Sequence, residues 1–527
     1  MRRLAADYAY DFNRLAPFFA GDPADAAAWP DAIKRAQSHP RQRERVAAVL
    51  AQQQDRRGAP PEARAAAERL ADPRAVAIVT GQQAGLFGGP LYTLLKALTA
   101  LKLAERISRE HEVPTVAIFW IDSEDHDWDE VSSCSVLDDG MHRQTVTLGT
   151  PPGAGEGPVA SVHLDPAIFA AVETLRFTLA PSEFTEELLE RLGSAYRPGA
   201  GMSHAFGQWL EMVLGPLGLV VYDAAEAATK PIVGDIFVRE LESPGLTTRL
   251  AAASGQALVD LGYHAQVVPH PDNVALFRLD GVRQPIHFRE KGFVVGDLEV
   301  SGEHLLAEAR QQPDGFSPNV LLRPVVQDTL FPTICYVAGP NELAYLAQLK
   351  QIYERFGVPL PLMSPRATAT LLDAASARFL AKYDLALESL QPRDESALNH
   401  LLETQLPASV EAALHEASRA VEGSLGRLIE AVPAIDATLE GAARSSLGRM
   451  QHDLRTLHDK IIHAAKRRDE TLRRQYARTR ALAFPDGQPQ ERSVAFVYFL
   501  NRYGPALVDR LYTELPLDLG QHWVMTI

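Results

Sequence analysis

Ala75-Val76-Ala77-Ile78-Val79-Thr80-Gly81-Gln82-Gln83-Ala84-Gly85-Leu86-Phe87-Gly88-Gly89-Pro90 is the stretch that decides the fold. Five apolar residues break at a glycine-rich turn, and a helix-forming run from Leu91 to about Arg109 follows. A second apolar run, Val113 to Ile121, ends in Asp122-Ser123-Glu124-Asp125-His126-Asp127-Trp128-Asp129-Glu130. Strands that are apolar without alternation belong to a parallel sheet covered on both faces. The helical link between them has the length of a right-handed crossover. The chain is therefore predicted to be α/β, and such sheets bind ligands beyond the carboxyl ends of their strands. The glycine turn and the acidic turn both fall there.

Length sets the scale around this unit. At 527 residues the chain exceeds one hydrophobic core, which predicts two or three domains. No apolar run approaches the roughly 20 residues of a membrane-spanning helix. Met1-Arg2-Arg3 with Asp7 and Asp11 lacks the apolar centre of a secretory signal. A cytoplasmic protein with reduced thiols at Cys134 and Cys335 is expected. A net charge of −15 argues against nucleic-acid and anionic-membrane partners, yet leaves room for a local basic pocket.

Outward from the crossover unit, residues 1 to about 73 read as helical, with Tyr8, Tyr10, Phe12, Leu15, Phe18 and Phe19 as an aromatic cluster docked on the core. Leu217 to Val221, Thr333 to Val337 and Pro359 to Met363 are further buried-strand candidates. Short runs between Gln266 and Gly296, separated by Asp280-Gly281 and Glu290-Lys291-Gly292, carry hairpin chemistry and predict a small inserted antiparallel sheet. After Leu371 the chain is almost wholly helical. Val410, Leu414, Ala417, Val421, Leu425, Leu428 and Val432 form one apolar stripe, and Leu447, Met450, Leu454, Leu457, Ile461 and Ala464 another. Pro433 separates them, which predicts an antiparallel coiled-coil hairpin.

Four strand ends carry the candidate chemistry. The glycine turn matches neither Walker A nor the dinucleotide fingerprint. It does offer backbone N–H groups at a helix amino end, with Thr80, Gly81, Gln82, Gln83, Tyr92 and Lys96 as candidate binding residues. In the acidic turn, six carboxylates surround His126 within nine residues, a crowding that needs a cation, a bound ammonium or a shared proton. A divalent metal among the carboxylates is one reading; deprotonation of a substrate amine by Glu124 or Asp125 with His126 is the other, with Asp122 and Asp127 binding. No second His-rich segment stands at metal-ligand spacing, so the amine reading is preferred and no metal is predicted. Gly339, Glu342 and Tyr345 repeat the glycine entry into a helix, while Arg323, Asp328 and Arg366 flank the last two strands. A crevice arginine suits bidentate pairing with carboxylate or phosphate. No hydrolase triad motif is present.

The long strings are the most specific signal. Thr80 to Tyr92, Phe119-Trp120-Ile121, Glu124-Asp125-His126-Asp127, His287-Phe288-Arg289, Asn319 to Pro324, Asp328 to Pro332, Ala338 to Tyr345, Pro365-Arg366 and Gln490-Glu491-Arg492 together resemble the bacillithiol biosynthesis cysteine-adding enzyme family. The tail string Tyr498 to Pro505 resembles it too. The resemblance implies a Rossmann-like core, similar to class I aminoacyl-tRNA synthetases and nucleotidylyl transferases, with connecting-peptide insertions and a C-terminal coiled coil used in homodimerisation. It places the core over 1–375, insertions at about 138–205 and 262–320, the helical arm over 376–484 and a returning segment over 485–527. The implied reaction joins cysteine to the amine of glucosaminyl-malate. ATP or ADP is implied as well, with no phosphate motif to mark its site. Phe87-Gly88-Gly89-Pro90 stands where synthetases carry His-Ile-Gly-His, and Met363-Ser364-Pro365-Arg366 where they carry a lysine-rich signature. A nucleotidylyl transferase acting on another amino acid or amino sugar, and a non-catalytic coiled-coil scaffold, are the alternatives.

Overall fold

A computed structural model describes residues 4–290, 292–404, 408–468, 470–518 and 520–527; the opening Met1-Arg2-Arg3 and Lys291 of the hairpin region lie outside them. The chain forms two compact units, one of residues 1–370 with 491–524 and one of residues 371–490 with 525–527.

The first unit is built on β1 (Val76–Gln82), the helix α1 (Leu91–His111), β2 (Thr115–Ile121) and β3 (Val220–Asp223). Further along come the helices α2 (Lys230–Glu242) and α3 (Arg323–Leu330), then β4 (Thr333–Ala338), α4 (Pro340–Leu346) and β5 (Leu362–Pro365). The five strands make one all-parallel sheet in the order β5-β4-β1-β2-β3. The chain starts in the middle, runs out through β2 and β3, and returns to lay β4 and β5 on the other side. Strand order therefore reverses between β1 and β4, where an open α/β sheet leaves its crevice.

Apolar continuity explains the sheet. Val76–Val79 and Val116–Ile121 are all buried, as are Ile334, Cys335 and Val337. Each fully buried aliphatic side chain contributes about 1.5–3 kcal/mol relative to exposure. α1 packs on β1 and β2 and is itself buried along Leu91, Leu94, Leu95, Leu98 and Ile107. Register then sets the rim: Gln82 lies abreast of Ile121, Ile121 abreast of Asp223, and Ala338 abreast of Pro365. Consequently Gln82-Gln83, Asp122, Gly339 and Arg366 all leave the sheet at the same edge.

Two glycines of the turn are required by packing. A Cβ at Gly81 would stand 2.7 Å from the Trp120 carbonyl oxygen of the neighbouring strand. At Gly88, with φ +95°, it would stand 2.3 Å from the Phe496 ring. Only glycine tolerates both the left-handed conformation and that approach.

A five-stranded antiparallel sheet, ordered 316–318, 273–280, 282–289, 292–295 and 298–300, forms the predicted insertion. At the amino end, Tyr8, Leu15, Phe18 and Phe19 are buried, whereas Tyr10 of the expected cluster turns outward and is exposed. Its hydroxyl donates to the Gly520 carbonyl, so it is held by polarity rather than packing. Helices over Arg43–Arg57 and Pro61–Glu68 are separated at Gly58. The tail helix Phe496–Tyr503 belongs to the first unit, where Phe496 stacks on Trp209 with centroids 6.2 Å apart.

In the second unit, α5 (Ala408–Ala431) and α6 (Leu439–Arg468) pack along one another, joined by a turn at Val432–Ala434 that contains Pro433. Among the described residues no helix is long and apolar enough to cross a membrane.

Candidate active site

A cavity of about 600 Å³ opens at the reversal point between β1 and β4, and every wall comes from the first unit. Gly81, Gln82 and Gln83 line it from the end of β1, Tyr92 and Lys96 from α1, and Asp122 and Asp125 from the end of β2. Arg323, Gly339, Glu342, Tyr345 and Arg366 close the opposite side.

Lys96 organises the floor. Its buried ammonium donates to the Gly81 carbonyl (2.8 Å) and Gln82 Oε1 (3.2 Å), and pairs with Glu342 Oε2 (2.5 Å). Glu342 also accepts from the Gly339 N–H and from the Tyr336 hydroxyl. Burial opposes ionisation of Glu342, but Lys96 and these donors outweigh it and hold the carboxyl below its ordinary range. Gln82 Nε2 meanwhile donates to the Tyr92 hydroxyl (3.3 Å). Both functional atoms of Gln82 are thus fixed before any ligand arrives.

Asp125 is held from three sides. Gln83 Nε2 donates to Oδ2 (2.6 Å), while the His126 N–H (2.8 Å) and an Arg283 guanidinium nitrogen (3.2 Å) approach Oδ1. Burial alone would raise its pKa; the Gln83 amide and Arg283 reverse that, so the carboxyl sits below its usual value. Asp122 behaves oppositely. Burial pushes its carboxyl up even though Arg323 Nε lies 3.7 Å away. Arg323 further donates to Gln327 Oε1 and the Tyr345 hydroxyl, both at 3.2 Å.

Other expected residues lie elsewhere. Thr80 is buried behind the rim, its hydroxyl donating to the Val337 carbonyl and tying β1 to β4. Glu124 faces away from the cavity and forms a buried ion pair with Lys230 of α2, which also donates to the Phe316 carbonyl. The turn after β2 sends Glu124 to Lys230 and Asp125 to Gln83 and Arg283. His126 is exposed beside Asp125. Asp127 caps the short helix Trp128–Val131 by accepting from the Glu130 N–H. Asp328 is buried and accepts from Tyr353 and Gln327. Arg366 reaches the cavity wall, but both terminal nitrogens are engaged by Glu491 (2.9 and 2.6 Å).

Four N–H groups of the glycine turn are engaged within the protein. The N–H groups of Gly85, Gly88, Gly89 and Leu91 donate to the carbonyls of Gln83, Gly85, Leu86 and Val494. Those four donors are therefore not free to meet an anion. Among the described residues no cluster of three or more His, Cys, Asp and Glu is placed to hold a metal ion. Cys134 and Cys335 are buried, and burial pushes both thiols up to about 12.

The lining residues to which sequence reasoning gave no role in the site include Arg283, Tyr336 and Arg492. Arg283 comes from the inserted hairpin and stacks 3.9 Å from the Phe277 ring centroid. Nothing local distinguishes it from a surface arginine. Glu130 stood in the acidic turn without a role, and Lys230 opens a helix like any solvated lysine. With Arg283 and Arg492 included, the described walls carry Lys96 and four arginines against Asp122, Asp125, Glu130 and Glu342. The site is nearly charge-balanced inside a chain of net charge −15, which suits a ligand bearing both ammonium and carboxylate groups.

A parallel sheet with a mixed-charge cavity at its reversal point defines a Rossmann-like enzyme core. The chain belongs to the bacillithiol biosynthesis BshC family: residues 1–367 match its N-terminal Rossmann-like domain and residues 369–527 its C-terminal coiled-coil domain. Relatives named "Putative cysteine ligase BshC" include a Salinibacter ruber protein, 35% identical over 99% of this chain and 96% of its own. Others come from Chlorobaculum tepidum, 34% identical over 89% and 86%, and Koribacter versatilis, 34% identical over 97% and 94%.

Proposed function

We propose that this chain is a cytoplasmic ligase that joins the carboxyl group of cysteine to the amine of glucosaminyl-malate, giving bacillithiol. The observation that carries the reading is the charge-balanced cavity, where Asp122 and Asp125 stand beside Arg283 and Arg323. Glucosaminyl-malate presents the complementary set: an ammonium, sugar hydroxyls and two carboxylates. Arg323, buried and preorganised by Gln327 and Tyr345, pairs with a malate carboxylate. Asp125 orients the ammonium but is a weak base, because its neighbours stabilise the ionised form. Asp122, pushed up by burial, is better matched to taking the proton that frees the amine for attack.

Joining carboxylate and amine expels water and is uphill in aqueous solution, so an activating co-substrate belongs to the proposal; ATP is the first to test. The protein incubated with cysteine and glucosaminyl-malate, with and without ATP, is expected to yield bacillithiol by mass spectrometry in at least one arm. No product in either would sink the ligase reading.

A further inference from the structure

A second cavity of about 190 Å³ adjoins the first, and Gln82, Gln83, Tyr92, Glu130 and Arg492 wall both. Two opposite charges stand on that shared wall without meeting. Among the described residues Glu130 has no ion-pair partner, and Arg492 makes no hydrogen bond or ion pair, its guanidinium lying 5.7 Å from the Tyr92 ring centroid. Gln83 Oε1 is buried there with no hydrogen-bond partner. Deeper in, Thr93 Oγ1 is likewise buried and unpartnered, on a side chain with no solvent exposure. Buried polar atoms are almost always satisfied, so two orphans on residues that line one small cavity point to a missing polar partner. Gly85, Gly89, Ser133, Cys134 and Arg143 are among its other walls.

We infer that this annex is the amino-acid subsite, in which Glu130 and Gln83 Oε1 receive an α-ammonium, Arg492 the α-carboxylate, and Thr93 Oγ1 a short polar side chain such as a thiol. An α-amino acid carries its two charges on one carbon, which is what an unclosed Glu–Arg pair accommodates. Burial and the nearby Asp127 and Asp125 raise the Glu130 pKa, the Gln83 amide offsets them only in part, and a bound ammonium would relieve the remainder. Arg492 lines both cavities, so a carboxyl group held there faces the space assigned to the amine. The identity of the amino acid as cysteine rests on the ligase reading; the placement of the subsite does not.

Calorimetric titration of the full chain with cysteine under reducing conditions tests this. Arg492→Ala is expected to weaken cysteine binding by about 10- to 100-fold and glucosaminyl-malate binding by clearly less, since Arg492 lines both cavities. Thr93→Val keeps the side-chain shape, removes an unsatisfied hydroxyl, and is expected to weaken cysteine binding without lowering the melting temperature. Cysteine binding that is undetectable in the parent chain, or unaltered in both variants, overturns the assignment. Bacillithiol formed with an unchanged KM for cysteine in both variants overturns the subsite and spares the ligase reading. Cysteine held through Arg492 and Thr93 with no product under any condition does the reverse.

Discussion

Four adjacent or near-adjacent acids of one turn end in four environments. Glu124 is buried against Lys230, Asp125 is clasped by donors, Asp127 caps a helix, and Asp122 is desolvated in the cavity wall. Their sequence crowding showed that charge had to be compensated, but not by whom, because the compensating Lys230 and Arg283 arrive from distant segments. Two predictions separate structural from chemical roles. Lys230→Met leaves Glu124 charged and uncompensated in the interior, so stability should fall by about 3–5 kcal/mol in denaturant titration. Adding Glu124→Gln should recover most of it; no loss in Lys230→Met would mean the pair is dispensable. Asp122 as base must be deprotonated, so kcat should rise with pH through its raised pKa. Asp122→Asn is expected to cut kcat by about 10²- to 10⁴-fold and to abolish that acidic limb. A retained limb would assign the base elsewhere.

Among elements, the strands were legible because uninterrupted apolar runs permit little else, and their polar ends announce the rim once a parallel sheet is assumed. Register then brought Gln82, Asp122, Gly339 and Arg366 to one edge. The role of the glycine turn was less legible. Glycine can serve a ligand or a neighbouring side chain, and here Phe496, from the far end of the chain, occupies the space at Gly88. The helical hairpin presents a different question. Its stripes do not cover one another fully: Leu428, Met450 and Leu457 are 47%, 46% and 49% exposed, and Ile435 in the connecting turn is 83% exposed. Apolar stripes left open on a coiled-coil hairpin favour a second copy, and we propose a homodimer formed there. Light scattering should return a dimeric mass for the parent chain and a monomeric mass for Leu428→Arg combined with Leu457→Arg. A parent chain that is monomeric at micromolar concentration would refute the dimer.

For the whole molecule, the division of labour follows from chain tracing. The chain leaves the first unit after Thr370 and re-enters it at Glu491, in time to deliver Arg492 to the cavity and Glu491 to Arg366. All walls of both cavities therefore belong to one compact unit, although they span sequence positions 81 to 495. The helices α5 and α6 run antiparallel, so residues 408–468 leave and return at the same end and admit a short Gly/Ser replacement. The shortened chain is expected to keep the thermal transition of the first unit, to bind cysteine and glucosaminyl-malate with parent affinity, and to sediment as a monomer. Retained binding with lost turnover would show that the dimer is needed for chemistry rather than for recognition. A folded but non-binding product would mean that the cavity is incomplete without the arm, and the functional reading would then have to be rebuilt on the dimer.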